Sequence, residues 1–294
     1  MRTIQLQIAG YEAKALPTGE FALDGGAMFG TVPKVLWEKT NPPDEFNRIP
    51  MEARALLLKG KDRNIVIDAG VGRDFKEKYG PKLGAKFEEI YAVSGDRSLE
   101  KSLNSHGVDL EDVTDVILTH LHFDHAGGAT KWNGQELVPT FPKAKYYIQK
   151  ENLETAQKPN LREKASYFAA NFEPLLKSGC LEILNGSAEL LKGISLISTY
   201  GHTQAQQIVR IKDTETQLMY CGDIIPTSTH VRLPFVMGYD LNPLQIIEEK
   251  RIILQESLQP NSYLFFEHDP YCDLALVEPK GEDFQVKERL HLAV

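Results

Sequence analysis

Residues 119–128 read Thr-His-Leu-His-Phe-Asp-His-Ala-Gly-Gly, which puts His120, His122, Asp124 and His125 within six positions. Packing these groups together without a metal would crowd titratable side chains with no apolar gain. Nitrogen and carboxylate donors suit zinc and its neighbours. The preceding run Val113-Thr114-Asp115-Val116-Ile117-Leu118 is β-branched and apolar, so it predicts a buried strand that delivers the cluster into a loop at its C-terminal end. His120 and His122, two apart, share one face of extended chain. Asp124 and His125 turn away from it, and Gly127-Gly128 permit a tight bend behind them. The arrangement can feed two adjacent metal ions.

Further ligand types stand where the strands that must position them end. His202 follows Ile197-Ser198-Thr199-Tyr200-Gly201, Asp223 follows Leu218-Met219-Tyr220-Cys221-Gly222, and His268 follows Phe265-Phe266-Glu267. Each is a polar ligand type at the tip of an apolar run. Asp68 ends Ile65-Val66-Ile67 in the same way, although an aspartate before Ala69-Gly70 also fits a simple turn. His230 falls in a loop after Asp223, where it could line a substrate pocket, assist proton transfer or sit on the surface. Met28 and Phe29, in the glycine-rich Gly25–Gly30, suit a pocket rim. Trp37 and Trp132 read as packing residues, and Cys221 as a small buried hydrophobe.

The supporting elements alternate between strand and helix. Arg54–Leu58 and Asn64–Ile67 read as strands around a turn at Lys59-Gly60-Lys61-Asp62, and Ala144–Ile148 as another after the histidine loop. Leu161, Ala165, Phe168 and Phe172 fall on one stripe, which predicts a helix over 161–176. Strands follow at Ile194–Thr199, Gln207–Ile211 and Gln217–Tyr220, then a helix from Pro243 to Leu258 with Ile246, Ile247, Ile253 and Leu254 inward, then a strand at Tyr263–Phe266. The pattern suggests two sheets packed together with helices outside. No repeat or linker interrupts residues 1–294, so one domain is expected.

Composition narrows the function. The chain of 294 residues is 42% hydrophobic and carries a formal charge of −8, with 41 acidic against 33 basic residues. A core of ordinary size is expected, and a nucleic-acid surface, which needs a basic patch, is disfavoured. No apolar stretch reaches the roughly 20 residues that span a bilayer. Polar residues alternate in Met1-Arg2-Thr3-Ile4-Gln5 where a signal peptide would turn apolar. Three cysteines do not make a disulfide framework, and a cytoplasmic location is the expectation. A small-molecule substrate without nucleic acid or membrane is expected, with a homodimer left open.

The series Thr-His-Leu-His-Phe-Asp-His, Gly201-His202-Thr203, Gly222-Asp223 and Glu267-His268-Asp269 resembles the metallo-β-lactamase superfamily. Within it the chain is similar to the branch of N-acyl homoserine lactonases and methyl-parathion-hydrolase-like enzymes, over nearly its whole length, including Leu23–Gly30 and Pro139–Pro142. The resemblance implies an α/β, four-layer αβ/βα sandwich with a dinuclear site. It implies that His120, His122 and His202 hold one metal, that Asp124, His125 and His268 hold the second, and that Asp223 bridges. It also makes Asp68 the partner that fixes a ligand imidazole. Two divalent ions follow, zinc first, with iron, manganese and cobalt able to use the same donors.

A metal-dependent hydrolase acting through an activated hydroxide is the expected activity, with Asp124 as proton shuttle and lactones or related esters as lead substrates. Phosphotriesters are the alternative; a nuclease or a non-catalytic metal-binding protein ranks below. An oxygen- or NO-reducing diiron protein would place a glutamate at His122. Two departures stand out. Gly201-His202-Thr203 continues as Gln204-Ala205-Gln206 instead of reaching Pro-Gly-His, which should alter loop stiffness. Pro226 stands where some homoserine lactonases carry a substrate-contacting tyrosine.

Overall fold

The computed structural model describes residues 1–293, which form two compact units. The first unit comprises residues 1–9, 22–51 and 187–293; the second comprises residues 10–21 and 52–186.

In the second unit the chain pairs strands in the order Leu181–Leu184, Lys145–Gln149, Asp115–Ile117, Asn64–Ile67, Arg48–Lys59 and Tyr11–Asp24, the last two continuing into the first unit. Ile67 pairs with Ile117 and Val116 with Tyr146, all in parallel, while Leu57 and Val66 pair antiparallel. The runs Ala55–Leu58 and Ile65–Ile67 are fully buried at every position, which is why they read as continuous apolar stretches with no alternation. Leu57, Val66, Val116 and Tyr146 form a core with Leu103, Phe141, Leu153 and Leu175 from outside the sheet. Parallel pairing sets Asp68 and Thr119-His120 at the same sheet edge.

The helix expected over 161–176 does not form. Asn160 Oδ1 accepts from the backbone N–H groups of Arg162 and Glu163, which makes a turn there. Ser166 O then accepts from Phe123 N at 2.9 Å, and Tyr167 bridges to His122. Leu161, placed on the buried stripe by spacing, is 95% exposed, and beyond a 3-10 turn at Ala169–Asn171 only Glu173–Ser178 is α-helical. Anchoring to the histidine loop overrides the local periodicity. A helix that the patterning did not suggest, Phe75–Tyr91, is bent at Gly80-Pro81, where Gly80 has φ 79°.

In the first unit one sheet runs in the order Arg2–Ile4, Asp283–Leu292, Leu274–Lys280, Ser262–Phe265, Gln217–Tyr220, Gln206–Lys212, Ile194–Thr199, Ala188–Leu191. Helix Pro243–Glu256 packs Ile246, Ile253 and Leu254 into a core with Ile208, Met219, Leu264 and Phe266; Ile247 is only partly buried. Asn242 caps it by accepting from Gln245 N, and Pro243 occupies the first turn. Truncating a residue such as Leu264 to alanine should cost about 2–5 kcal/mol. Tyr220 pairs in parallel with Phe265, so Asp223 and His268, each three residues further on, leave the same sheet edge. Gln206–Lys212 runs antiparallel to both its neighbours, which brings the end of Ile194–Thr199, and with it His202, to that edge too.

Candidate metal centre

Each unit carries its own group of ligand-type side chains. In the second unit His120, His122, Asp124 and His125 are all buried. The His120 ring lies 4.4 Å from that of His122 and 3.9 Å from that of His125, centroid to centroid. His125 Nε2 is 3.9 Å from Asp124 Oδ1. Asn152, itself buried, holds the backbone between the first two histidines by accepting from Leu121 N at 3.0 Å.

Asp68 organises this group. Its Oδ1 accepts from Thr119 N at 2.6 Å, and its Oδ2 accepts from Thr119 Oγ1 at 2.7 Å and sits 3.0 Å from His125 Nδ1. Because the Thr119 hydroxyl proton goes to Asp68, its oxygen is left to accept from His120 Nδ1, 3.1 Å away. Both imidazoles thereby carry their proton on Nδ1 and turn an Nε2 lone pair outward, the tautomer that binds metal. Asp68 is held at φ 58°, a left-handed conformation costly for a residue with a Cβ. Its three hydrogen bonds maintain it.

Gly127 and Gly128 close the loop for a reason other than turn geometry. A Cβ on Gly127 would lie 2.0 Å from Val71 O, and one on Gly128 2.1 Å from Ala69 O. The backbone of the histidine loop is pressed against the 69–71 segment, with Ala69 N donating to His125 O at 2.7 Å. Lys78 reinforces this from behind by donating to Gly127 O and, at 2.6 Å, to Thr130 O; burial pulls its ammonium down to about 8.

In the first unit Asp223 stands between two imidazoles, its Oδ2 3.2 Å from His202 Nε2 and its Oδ1 3.2 Å from His268 Nε2. His202 Nδ1 is 2.9 Å from Asp240 Oδ1, and the other Asp240 oxygen accepts from Met237 N at 2.7 Å. Burial pushes the Asp240 carboxyl up, while the hydrogen bond from His202 opposes that. His268 is fixed through its backbone, its N–H donating to Pro226 O at 3.2 Å. Pro226 is therefore part of the support for a ligand-type residue. The departure after Gly201-His202-Thr203 becomes a tight turn with Ala205 at φ 48° and Gln206 fully buried.

Three expectations need correction. His230 is buried, stacks on Phe29 with ring centroids 4.7 Å apart, and has both nitrogens engaged: Nε2 donates to Met28 O and Nδ1 accepts from Thr227 Oγ1, each at 2.8 Å. Burial drops its pKa to about 4. Proton transfer requires an available nitrogen, and neither is available. Met28 and Phe29 are 1% and 0% exposed, so they fill the core instead of rimming a pocket; Phe29 also stacks on Trp37 at 5.2 Å. Trp132 keeps 38% of its surface exposed, so the packing reading holds for Trp37 alone.

Sequence pattern alone assigns no role to Thr119, Asp240 or Glu163. Glu163, 3% exposed, places Oε1 3.7 Å from His122 Nε2 and sits inside the stretch expected to be helix. All three acquire their roles through contacts that local pattern does not encode. The donors present, imidazole nitrogens with fixed tautomers and carboxylates set between them, fit divalent metal ions.

Comparison with known proteins gives the same chemistry. The sequence profile described as Metallo-beta-lactamase superfamily matches residues 49–268. An N-acyl homoserine lactonase of a Bacillus species is 25% identical over 261 residues, 86% of this chain and 91% of that protein. A probable metallo-hydrolase of Mycobacterium tuberculosis is 24% identical over 246 residues, 76% of each chain. Among solved structures, a probable metal-dependent hydrolase from Staphylococcus aureus superposes with a TM-score of 0.84 at 28% identity, over 97% of this chain and 98% of that one. A dizinc quorum-quenching lactonase in complex with a product superposes with a TM-score of 0.74 at 21% identity, covering 97% and 96%, a likeness of fold.

Proposed function

Because the chain belongs to the metallo-beta-lactamase superfamily and is a metal-dependent hydrolase, we propose that it holds two divalent cations and opens lactones or related esters. In this reading His120, His122 and His202 hold one cation, Asp124, His125 and His268 hold the other, and Asp223 serves both. The observation that carries it is the Asp223 carboxylate, which presents one oxygen to His202 and the other to His268, each at 3.2 Å. Zinc is the leading ion, since imidazole and carboxylate are its usual donors.

Divalent cations bound there would supply Lewis acidity, lowering the pKa of a water toward neutrality and polarising the oxygen of the bond to be cleaved. The chain supplies the rest. Asp68, directly and through Thr119, and Asp240 fix imidazole tautomers so that the donors need no reorganisation. To Asp124, 6% exposed, we assign the proton released on attack and its return to the leaving oxygen. With His230 locked in the core, no second proton carrier is assigned.

The substrate class rests on relatives. The lactonase similarity extends over 86% of the chain, which favours a cyclic ester. Pro226, whose carbonyl holds His268, offers no phenol to a substrate. The family match runs through both compact units, which supports reading residues 1–294 as a single catalytic domain. Free thiols at Cys180, Cys221 and Cys272 support a cytoplasmic location. A panel of acyl lactones, thioesters and aryl phosphotriesters tests the substrate reading. The highest kcat/KM on a lactone is expected; a higher value on a phosphotriester would replace lactones as the substrate class.

A further inference from the structure

Helix Pro243–Glu256 contributes none of the ligand-type residues, yet two consecutive charged side chains of it are buried at opposite tasks. Glu249 is 8% exposed and Lys250 is fully buried. Burying such groups is costly unless hydrogen bonds repay the lost water. Glu249 Oε1 accepts from Tyr200 N at 2.7 Å and Oε2 accepts from Gly201 N at 3.1 Å, the two peptide groups just ahead of His202. The Lys250 ammonium donates to the carbonyls of Arg232, Leu233 and Phe235 at 2.6, 3.3 and 2.9 Å. That second loop leads into the 237–240 turn carrying Asp240, the Nδ1 partner of His202.

The fit around this pair leaves no slack. A Cβ on Gly201 would lie 2.7 Å from the Ile246 side chain and 2.8 Å from Glu249 Oε2. The entry to the helix closes on the same segment, with Asn242 N donating to Gly201 O at 2.8 Å and Leu241 N to His202 O at 3.2 Å. Gly238 N is tied to Ala27 O at 2.7 Å, which fixes the turn from its other side.

We propose that Glu249 and Lys250 are positioning residues for His202: the carboxylate sets the backbone that delivers the imidazole, and the ammonium sets the loop that delivers Asp240 to its Nδ1. One helical turn thus holds the imidazole and the group that fixes its tautomer in a common frame. The proposal rests on the reading of His202 as a metal ligand.

The test measures zinc affinity by competition with a chromophoric chelator, together with the visible spectrum of the cobalt-loaded protein. Five proteins are compared: wild type, Glu249→Gln, Lys250→Met, His202→Ala, and Ile253→Ala, which removes apolar volume from the same helix without removing a hydrogen bond to either loop. Glutamine offers one acceptor oxygen to two N–H groups, so Glu249→Gln should weaken zinc binding roughly tenfold and shift the cobalt bands. Lys250→Met should do at least as much, and if it fails to fold, Glu249→Gln decides. Ile253→Ala should lower thermal stability while leaving affinity and spectrum unchanged. Wild-type affinity in Glu249→Gln, or equal zinc loss in Ile253→Ala, would overturn the positioning role. Unchanged affinity in His202→Ala would instead overturn the ligand reading beneath it.

Discussion

Asp240 lies 38 positions beyond His202 in the chain and sets its Oδ1 2.9 Å from the imidazole Nδ1, while its other oxygen is occupied by Met237 N. The carboxylate therefore does two things at once, closing its own turn and choosing which His202 nitrogen faces Asp223. Asparagine can accept only one of these two hydrogen bonds. Asp240→Asn should lower metal affinity by about 10–100-fold with modest loss of thermal stability. Chelator competition measures this, and an affinity equal to wild type would remove Asp240 from the site.

Asp124 carries the proton-transfer step in the proposed reaction. Asp124→Asn, reloaded to full metal content, should lose at least about 100-fold in kcat. Elemental analysis and steady-state rates on one sample settle the matter. Full activity at full metal content would exclude the shuttle.

What local pattern could show, it showed well. Asp68, Asp223 and His268 each follow a short apolar run, and the strands at Asn64–Ile67, Ile194–Thr199 and Gln217–Tyr220 have the boundaries their sequences suggest. Ligand types at strand tips are legible because strand, ending and ligand lie within ten residues. Asp240 and Glu163 were not legible, since what makes them matter is a histidine far away in sequence. The stretch 161–176 shows the same limit from the other side: a helical stripe gave way to hydrogen bonds with the histidine loop. Met28 and Phe29 look like a pocket rim only until the burial of His230 and Trp37 around them is known.

His230 gives a pH signature. Its pKa falls from 6.5 to about 4 because burial penalises the charged ring, with the bond to Met28 O opposing. The unfolded chain takes up this proton below 6.5 and the folded chain only near 4. The associated stability is thus complete above pH 6.5 and lost as pH falls toward 4, on the order of 3 kcal/mol in all. Chemical denaturation at pH 7 and pH 4.5 should show a smaller acid loss for His230→Gln than for wild type. Equal losses would contradict the assignment.

Gly127 tests the close approach behind the histidine loop. An alanine Cβ would sit 2.0 Å from Val71 O, so backbone must move and carry His125 with it. Gly127→Ala should cost about 2 kcal/mol or more of stability and lower metal affinity. A thermal melt and metal titration matching wild type would show that the loop can relax.

Dependence of the reaction on two cations is read by stripping the protein with a chelator and titrating zinc back while following lactone hydrolysis. No turnover is expected in the stripped protein, and activity should rise to a plateau at two zinc ions per chain. Full lactone turnover without metal, or no zinc uptake at all, would contradict it.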